Sequence, residues 1–97
     1  MQVIEQFSLK EKVAVVMGGG GVLGGAIADG FGAAGADVAV TDLAQDRLDA
    51  CADRIRKAGG SAKGYSVDVF DRSSIVACCD QIHADLGRVD VLVNCVG

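Results

Sequence analysis

The stretch KVAVVMGGGGVLGGAIADGF, residues 12 to 31, joins an apolar run to a run of glycines and then to a helical pattern. The run at 12–17 is short and rich in valine, which is typical of a buried strand. Beyond the glycines, Leu23, Ile27 and Phe31 recur at every fourth position, which is the spacing of one helix face. The stretch therefore predicts a strand, a glycine-rich turn and a helix in direct succession.

The rest of the chain repeats this alternation. Further strands are predicted at 37–42, 62–69 and 90–94, and further helices at 44–57 and between the N-cap Asp71 and Gly87. Alternation of this kind predicts an α/β fold with a parallel sheet and right-handed crossovers. We expect a Rossmann-type β-α-β-α-β-α-β unit with strand order 3-2-1-4, the N-terminal half of a doubly wound sheet, formed as one domain over residues 1–97.

Composition excludes several classes of protein. The chain has 97 residues, of which 51% are hydrophobic, and a net charge of −4 without a large basic cluster. We therefore expect no nucleic-acid partner, and the absence of a long apolar run predicts no membrane span. The four cysteines form no C-x-x-C pair and there is a single histidine, so we expect structural thiols, no metal site and a reducing, cytoplasmic location.

The glycine run has the chemistry of an anion site. Gly19-Gly20-Gly21-Val22-Leu23-Gly24 matches G-x-G-x-x-G between a predicted strand and a predicted helix. The free N–H groups and the dipole at a helix start attract phosphate, and glycines let it approach the backbone. This loop is predicted to bind a pyrophosphate, and a tight turn without a ligand is the alternative.

Asp42 is the second informative residue. It ends the second predicted strand, 23 residues after Gly19, close to the usual spacing of about 20. A carboxylate there can accept hydrogen bonds from both adenosine ribose hydroxyls and would repel a 2′-phosphate. Leu43 follows it, and the glycine loop holds no Arg or Lys, so NAD is favoured over NADP. A solvated loop residue, a helix cap or an S-adenosylmethionine site are the alternatives.

With these segments placed, the chain resembles the N-terminal part of the short-chain dehydrogenase/reductase family, from FSLKEKVAVV at 7–16 to its last residue. The resemblance is carried by the glycine motif at 18–24, by Asp42, by VDV at 67–69 and by DVLVNCVG at 90–97. Together these motifs tell against a methyltransferase.

The motifs also depart from the family pattern. The family motif T-G-x-x-x-G-x-G is matched at Gly18 and Gly24, but Met17 and Val22 replace the threonine and the middle glycine. Either the turn is shaped differently from that of the family, or Gly21 supplies the flexibility lost at Val22. The family motif N-N-A-G becomes Asn94-Cys95-Val96-Gly97, which removes one side-chain hydrogen bond at position 95.

The resemblance implies the remaining contacts of the site. The backbone of 18–21 and the Leu23 N–H would face the adenosine and pyrophosphate, Asp68 would hold the adenine amino group, and Val69 would lie near the ring. The implied cofactor-binding residues are Gly18, Gly19, Gly20, Gly21, Val22, Leu23, Gly24, Asp42, Leu43, Asp68, Val69, Asn94, Cys95, Val96 and Gly97. Alternatively, Asp68 only ends a strand, Asn94 ties the sheet together and Cys95 is a buried packing residue.

The resemblance further implies an oxidoreductase that transfers hydride between NAD and a small alcohol or carbonyl substrate. The family's catalytic serine and Y-x-x-x-K pair follow the fourth strand, whereas Tyr65 is the only tyrosine here and Val69 stands four residues after it. We therefore expect no catalytic residue in this chain and no activity from it alone. The glycine loop resembles that of members acting on sugar acids or other polyhydroxylated substrates.

Two alternatives to an enzyme part remain, a non-catalytic nucleotide-binding module and an inert fragment that folds only with a partner. The fourth strand would form an apolar sheet edge in this chain, and such edges pair with other chains. We therefore expect a homo-oligomer.

Overall fold

The computed structural model describes residues 8–96, in which strands and helices alternate as predicted. The elements are β1 (Val13–Met17), α1 (Val22–Ala33), β2 (Asp37–Asp42), α2 (Gln45–Lys57), β3 (Ser61–Ser66), α3 (Arg72–Leu86) and β4 (Val91–Asn94). Gly35 and Gly87, which follow α1 and α3, have φ of +98° and +80°. Glycine adopts this left-handed conformation without steric cost, which explains why the helices end there. None of the helices in this part of the chain is long and apolar enough to cross a membrane.

The four strands form one parallel sheet in the order β3-β2-β1-β4. Val13 pairs with Asp37 of β2, and Ala14 pairs with Val91 of β4. The predicted Rossmann-type architecture and strand order are confirmed. This register brings the carboxyl ends of β1, β2 and β4 together at one edge of the sheet, which is where ligands bind in such sheets.

Each face of the sheet has its own apolar core. Ala14 and Val16 of β1 and Val38 and Val40 of β2 pack with α1 and α2, and Leu48 is fully buried there. On the opposite face, the core contains Val15, Ala39, Tyr65, Val67, Cys78 and Ile82. Successive strand residues thus enter different cores, because side chains alternate across a strand.

The third strand ends at Ser66. The prediction that it continues over 67–69 was wrong. The Val67 N–H still donates to the Asp42 carbonyl oxygen at 2.9 Å, but the chain then turns at Asp68. Asp68 Oδ1 accepts the Phe70 N–H at 3.0 Å, and the Asp68 carbonyl accepts the Asp71 N–H at 3.1 Å. An aspartate that bonds the backbone two residues later ends the extended conformation.

Two carboxylates bind backbone N–H groups at the starts of elements. Asp71 caps α3 as predicted, since its Oδ1 accepts the Ser73 N–H at 3.0 Å; hydrogen bonds from Ser73, and then from the Ser74 backbone, lower its pKa. Asp90 Oδ2 accepts the Val13 N–H at 2.8 Å and so links the start of β1 to β4. The Arg88 guanidinium, and secondly the Val13 N–H, hold the pKa of Asp90 below its ordinary value.

Candidate functional site

The glycine loop turns sharply out of β1 at its first glycine. Gly18 has φ +83°, and the N–H groups of Gly18 and Gly19 both donate to the Thr41 carbonyl, at 2.8 and 3.0 Å. A Cβ on Gly18 would lie 3.0 Å from the carbonyl carbon and oxygen of Cys95. The loop is therefore held between the ends of β2 and β4, and a side chain at Gly18 would meet both a strained backbone and a close neighbour.

Where the loop leads into α1, the structure requires glycine at position 24 but not at position 21. A Cβ on Gly24 would collide with the Gly18 carbonyl group, at 2.8 Å from its carbon. Gly21 is the N-cap of α1 with φ −82° and ψ 173°, which any residue adopts, and a Cβ there would meet ordinary contacts. The alternative that Gly21 compensates for Val22 was therefore wrong, because the turn is already made by the positive φ at Gly18. Val22 begins the helix with its side chain 95% exposed.

The start of α1 offers backbone donors to a ligand. Gly21 has no side chain, and the helix has no side-chain cap bond. The first N–H groups of a helix lack partners within the helix and lie at the positive end of its dipole. This geometry agrees with a site for a pyrophosphate, and that assignment stays a prediction.

Asp42 is joined to the glycine loop. Its Oδ2 accepts the Gly20 N–H at 3.0 Å, and its Oδ1 accepts the Leu43 N–H at 2.7 Å. The residue is half-buried at the end of β2, and the N-cap of α2 is Ala44 without a side-chain cap bond. Asp42 is therefore neither a free loop residue nor a helix cap. Each carboxylate oxygen has accepted one of these bonds and keeps capacity for another.

A cavity of about 200 Å³ lies at this edge of the sheet, between the ends of the strands. Six of the predicted site residues line it, namely Gly18, Asp42, Leu43, Asp68, Val69 and Val96. Thr41, Val67 and Phe70 complete the lining, and sequence reasoning missed all three. Thr41 and Val67 could have been found, because each immediately precedes a predicted acidic residue. Phe70 is 96% exposed and belongs to no periodic pattern, so nothing in the sequence singled it out.

Other predicted residues lie elsewhere. Gly19, Gly20, Gly21 and Val22 line a second groove of about 340 Å³ that runs over α1 toward α2. Two arginines that the sequence analysis did not assign to the site, Arg47 and Arg54, also line this groove. Leu23, Gly24, Asn94 and Cys95 line neither space, and Gly97 lies outside the described residues. The structure thus gathers Asp42, Asp68 and Val69 at one cavity and places the outer face of the glycine loop against α2.

Residues at and just after the ends of β3 and β4 form hydrogen bonds within the protein. The Asp68 N–H donates to Ser74 Oγ at 2.9 Å, which links it to the first turn of α3. The Val96 N–H donates to Asn94 Oδ1 at 3.0 Å, and the Cys95 N–H donates to the Met17 carbonyl at 2.8 Å. The Asn94 side chain therefore orders its own loop, whereas the sheet contact at this point is made by the Cys95 backbone.

Two of the cysteines are buried in the apolar cores. Cys51 belongs to the core beneath α2 and Cys78 to the core beneath α3. Burial is the main cause that raises the pKa of both thiols above the ordinary value. Burial therefore disfavours the thiolate, which is the reactive form of cysteine.

Comparison with known proteins assigns the family. Residues 12–97 match the short chain dehydrogenase family. The chain belongs to this family. It is 37% identical over 91 residues to the D-threitol dehydrogenase of Mycolicibacterium smegmatis, which covers 94% of this chain and 35% of that protein. The chain spans about a third of the length of the curated relatives it matches.

Two solved short-chain dehydrogenase-like structures show the same fold with a bound dinucleotide. A putative D-mannonate oxidoreductase from Haemophilus influenzae, with bound NAD, has a TM-score of 0.86 and 31% identity over 93% of this chain and 32% of its own. A metagenomic short-chain oxidoreductase in complex with NADP has a TM-score of 0.82 and 36% identity over 86% of this chain and 38% of its own. Both cofactors thus occur among structures similar to this chain.

Proposed function

We propose that this chain is the NAD-binding part of a short-chain dehydrogenase that transfers hydride between NAD and an alcohol or carbonyl substrate. The observation that carries the proposal is Asp42, whose carboxylate stands at the cavity among the strand ends and keeps an acceptor site on each oxygen. A carboxylate there suits the two hydroxyls of an unmodified adenosine ribose. It disfavours the extra phosphate of NADP, because like charges that meet without a partner repel each other.

The described residues fit the parts of a dinucleotide. Asp68 and Val69 line the same cavity as Asp42, and in this proposal they would contact the adenine. The first N–H groups of α1 would bind the pyrophosphate, whereas the N–H groups of 18–21 already donate to Thr41, Asp42 and Gly18 and would only allow its close approach. Hydride transfer is the chemistry that NAD supplies when bound, and the part of the protein is to hold and orient it.

The proposed substrate is a polyol, a sugar or a sugar acid. The support is the similarity to a D-threitol dehydrogenase and to a putative D-mannonate oxidoreductase, whose names specify polyhydroxylated compounds. In this proposal the catalytic serine, tyrosine and lysine, and most of the substrate pocket, come from sequence corresponding to the other two thirds of the relatives. The 97-residue chain would therefore bind the cofactor without oxidising an alcohol.

The cofactor assignment is tested by calorimetric titration of the purified protein with NAD and with NADP. We expect NAD to bind at least about tenfold more tightly, a difference of about 1.4 kcal/mol. The preference comes from the Asp42 carboxylate, which gains two hydroxyl donors in NAD and faces a phosphate in NADP. Tighter binding of NADP than of NAD would show that the assignment is wrong.

We further propose that the isolated 97-residue chain self-associates through the edge at β4. Leu92 of β4 and the preceding Val89 are 62% and 51% exposed, and both line an apolar groove of about 360 Å³ against α3. An exposed strand edge with apolar side chains pairs readily with another chain. Light scattering of the purified chain is expected to give a mass of two copies or more, and a monodisperse monomer would contradict the proposal.

We also propose a cytoplasmic location. The four cysteines are all free, in agreement with a reducing compartment.

A further inference from the structure

The space that a side chain on Gly20 would need is filled by Asp42 and Arg47. A Cβ on Gly20 would lie 2.5 Å from Asp42 Oδ2 and 2.9 Å from the Cβ of Arg47. The Arg47 Cβ is fixed to the first turns of α2, so it cannot swing away as the end of a long side chain would. Any other residue at position 20 must therefore displace the Asp42 carboxylate, the start of α2, or both.

The backbone of Gly20 also binds the Asp42 carboxylate. The Gly20 N–H donates to Asp42 Oδ2 at 3.0 Å, while the Leu43 N–H donates to Oδ1 at 2.7 Å. One donor on each oxygen fixes the plane of the carboxylate as well as its position. Hydrogen bonds to a charged acceptor are about twice as strong as neutral ones, so this pair is an effective restraint.

A Cβ on any of the other loop glycines would contact groups other than Asp42. A Cβ on Gly19 would press on the Val40 side chain at 2.9 Å, and one on Gly24 would press on the Gly18 carbonyl group. Those positions affect packing and the turn. A Cβ on Gly21 would meet only the Gly18 carbonyl oxygen, at 3.5 Å. Within the loop, contact with the carboxylate of Asp42 is thus a property of Gly20.

We propose that Gly20 is a specificity-determining position, which holds Asp42 in the orientation that selects NAD over NADP. This inference rests on the proposed NAD-binding function. A side chain at position 20 moves the carboxylate away from the ribose hydroxyls, so NAD loses its two acceptors. It also moves the negative charge away from the place of a 2′-phosphate, so NADP is rejected less. Gly20 acts through Asp42 and is a positioning residue.

The test compares three glycine-to-alanine variants by calorimetric titration with NAD and NADP. For Gly20→Ala, the ratio of the NADP to the NAD dissociation constant is expected to fall at least about tenfold, which corresponds to about 1.4 kcal/mol. For Gly21→Ala the ratio is expected to stay the same, whatever happens to the two affinities. Gly30→Ala, on α1 with open space around it, should change neither affinity. An unchanged ratio in a folded Gly20→Ala variant would overturn the proposal.

Amide hydrogen exchange of the protein without cofactor tests the restraint directly. In the unmodified protein the Gly20 amide should be protected from exchange, and in Asp42→Ala this protection should fall at least about tenfold. The Gly19 amide, which bonds to Thr41, should be equally protected in both proteins. Equal Gly20 exchange in the two proteins would overturn the proposal even if Gly20→Ala did not fold. Failure of the unmodified protein to bind NAD would instead refute the proposed function, and the exchange result would be unaffected.

Discussion

Replacing Gly24 with alanine is expected to lower the free energy of unfolding by about 3 kcal/mol, at the upper end of the usual cost of overpacking. The added Cβ would collide with the Gly18 carbonyl group and lie 3.2 Å from the Gly19 Cα. Both neighbours are backbone atoms, so no side-chain rotation relieves the contact. Gly18 is itself restrained by its N–H bond to the Thr41 carbonyl. The loop and the first turn of α1 must separate, which opens the core beneath the helix.

Gly30→Ala is the matched control for this experiment, because it makes the same chemical change in the same helix. A Cβ on Gly30 meets nothing within 4 Å. Alanine favours a helix interior over glycine by about 0.8 to 1.0 kcal/mol, so this variant is expected to be more stable than the unmodified protein. Urea denaturation followed by circular dichroism measures both variants. Equal unfolding midpoints for Gly24→Ala and the unmodified protein would refute the close contact.

The fold could be predicted because local patterns and overall topology depend on the same residues. The valine-rich runs at β1 and at 38–40 within β2 are apolar, as strands buried on both faces must be, and the glycines after α1 and α3 mark helix ends. Once strands and helices alternate, right-handed crossovers leave few possible strand orders. The order β3-β2-β1-β4 follows from these constraints together.

The errors arose where side-chain hydrogen bonds decide the backbone. The VDV segment at 67–69 continues directly from β3 and has two valines, yet the Asp68 carboxylate accepts the Phe70 N–H and the chain turns. Strand propensity cannot anticipate this, because aspartate offers the backbone a competing partner. Gly21 is a different case: the positive φ lies at Gly18, and a run of identical residues gives no sign of which member makes the turn.

The candidate site was predicted in part, for a topological reason. Asp42, Asp68 and Val96 are distant in sequence, but each follows or ends a parallel strand, so their meeting at one cavity follows from the sheet. The contact of Arg47 with the glycine loop depends on how α2 packs beside that loop. Helix packing of this kind is set by tertiary contacts, which no local motif records.

Asp42→Ala is expected to weaken NAD binding by at least about 100-fold, because two hydrogen bonds to a charged group are lost and each is worth about 1.5 to 3 kcal/mol. Two ribose hydroxyls would lose their acceptor, and the Gly20 N–H would lose its partner. Removal of the negative charge has the opposite effect on NADP, whose 2′-phosphate is no longer repelled. Arg47 lies beside Gly20 and adds a positive charge to this surface. We therefore expect the variant to bind NADP at least as tightly as NAD.

Asp46→Ala separates this specific effect from the change in net charge. Asp46 is an exposed acid in the first turn of α2, only four residues further along the chain, so its removal alters the overall charge equally. Asp46 forms none of the bonds that Asp42 makes with the glycine loop, and its exposed charge is screened by salt, with a Debye length of about 10 Å at moderate salt. Asp46→Ala is expected to keep the preference of the unmodified protein for NAD, whereas Asp42→Ala abolishes it. If both variants changed the two affinities alike in competitive titrations, general electrostatics, and not the ribose contact, would explain cofactor choice.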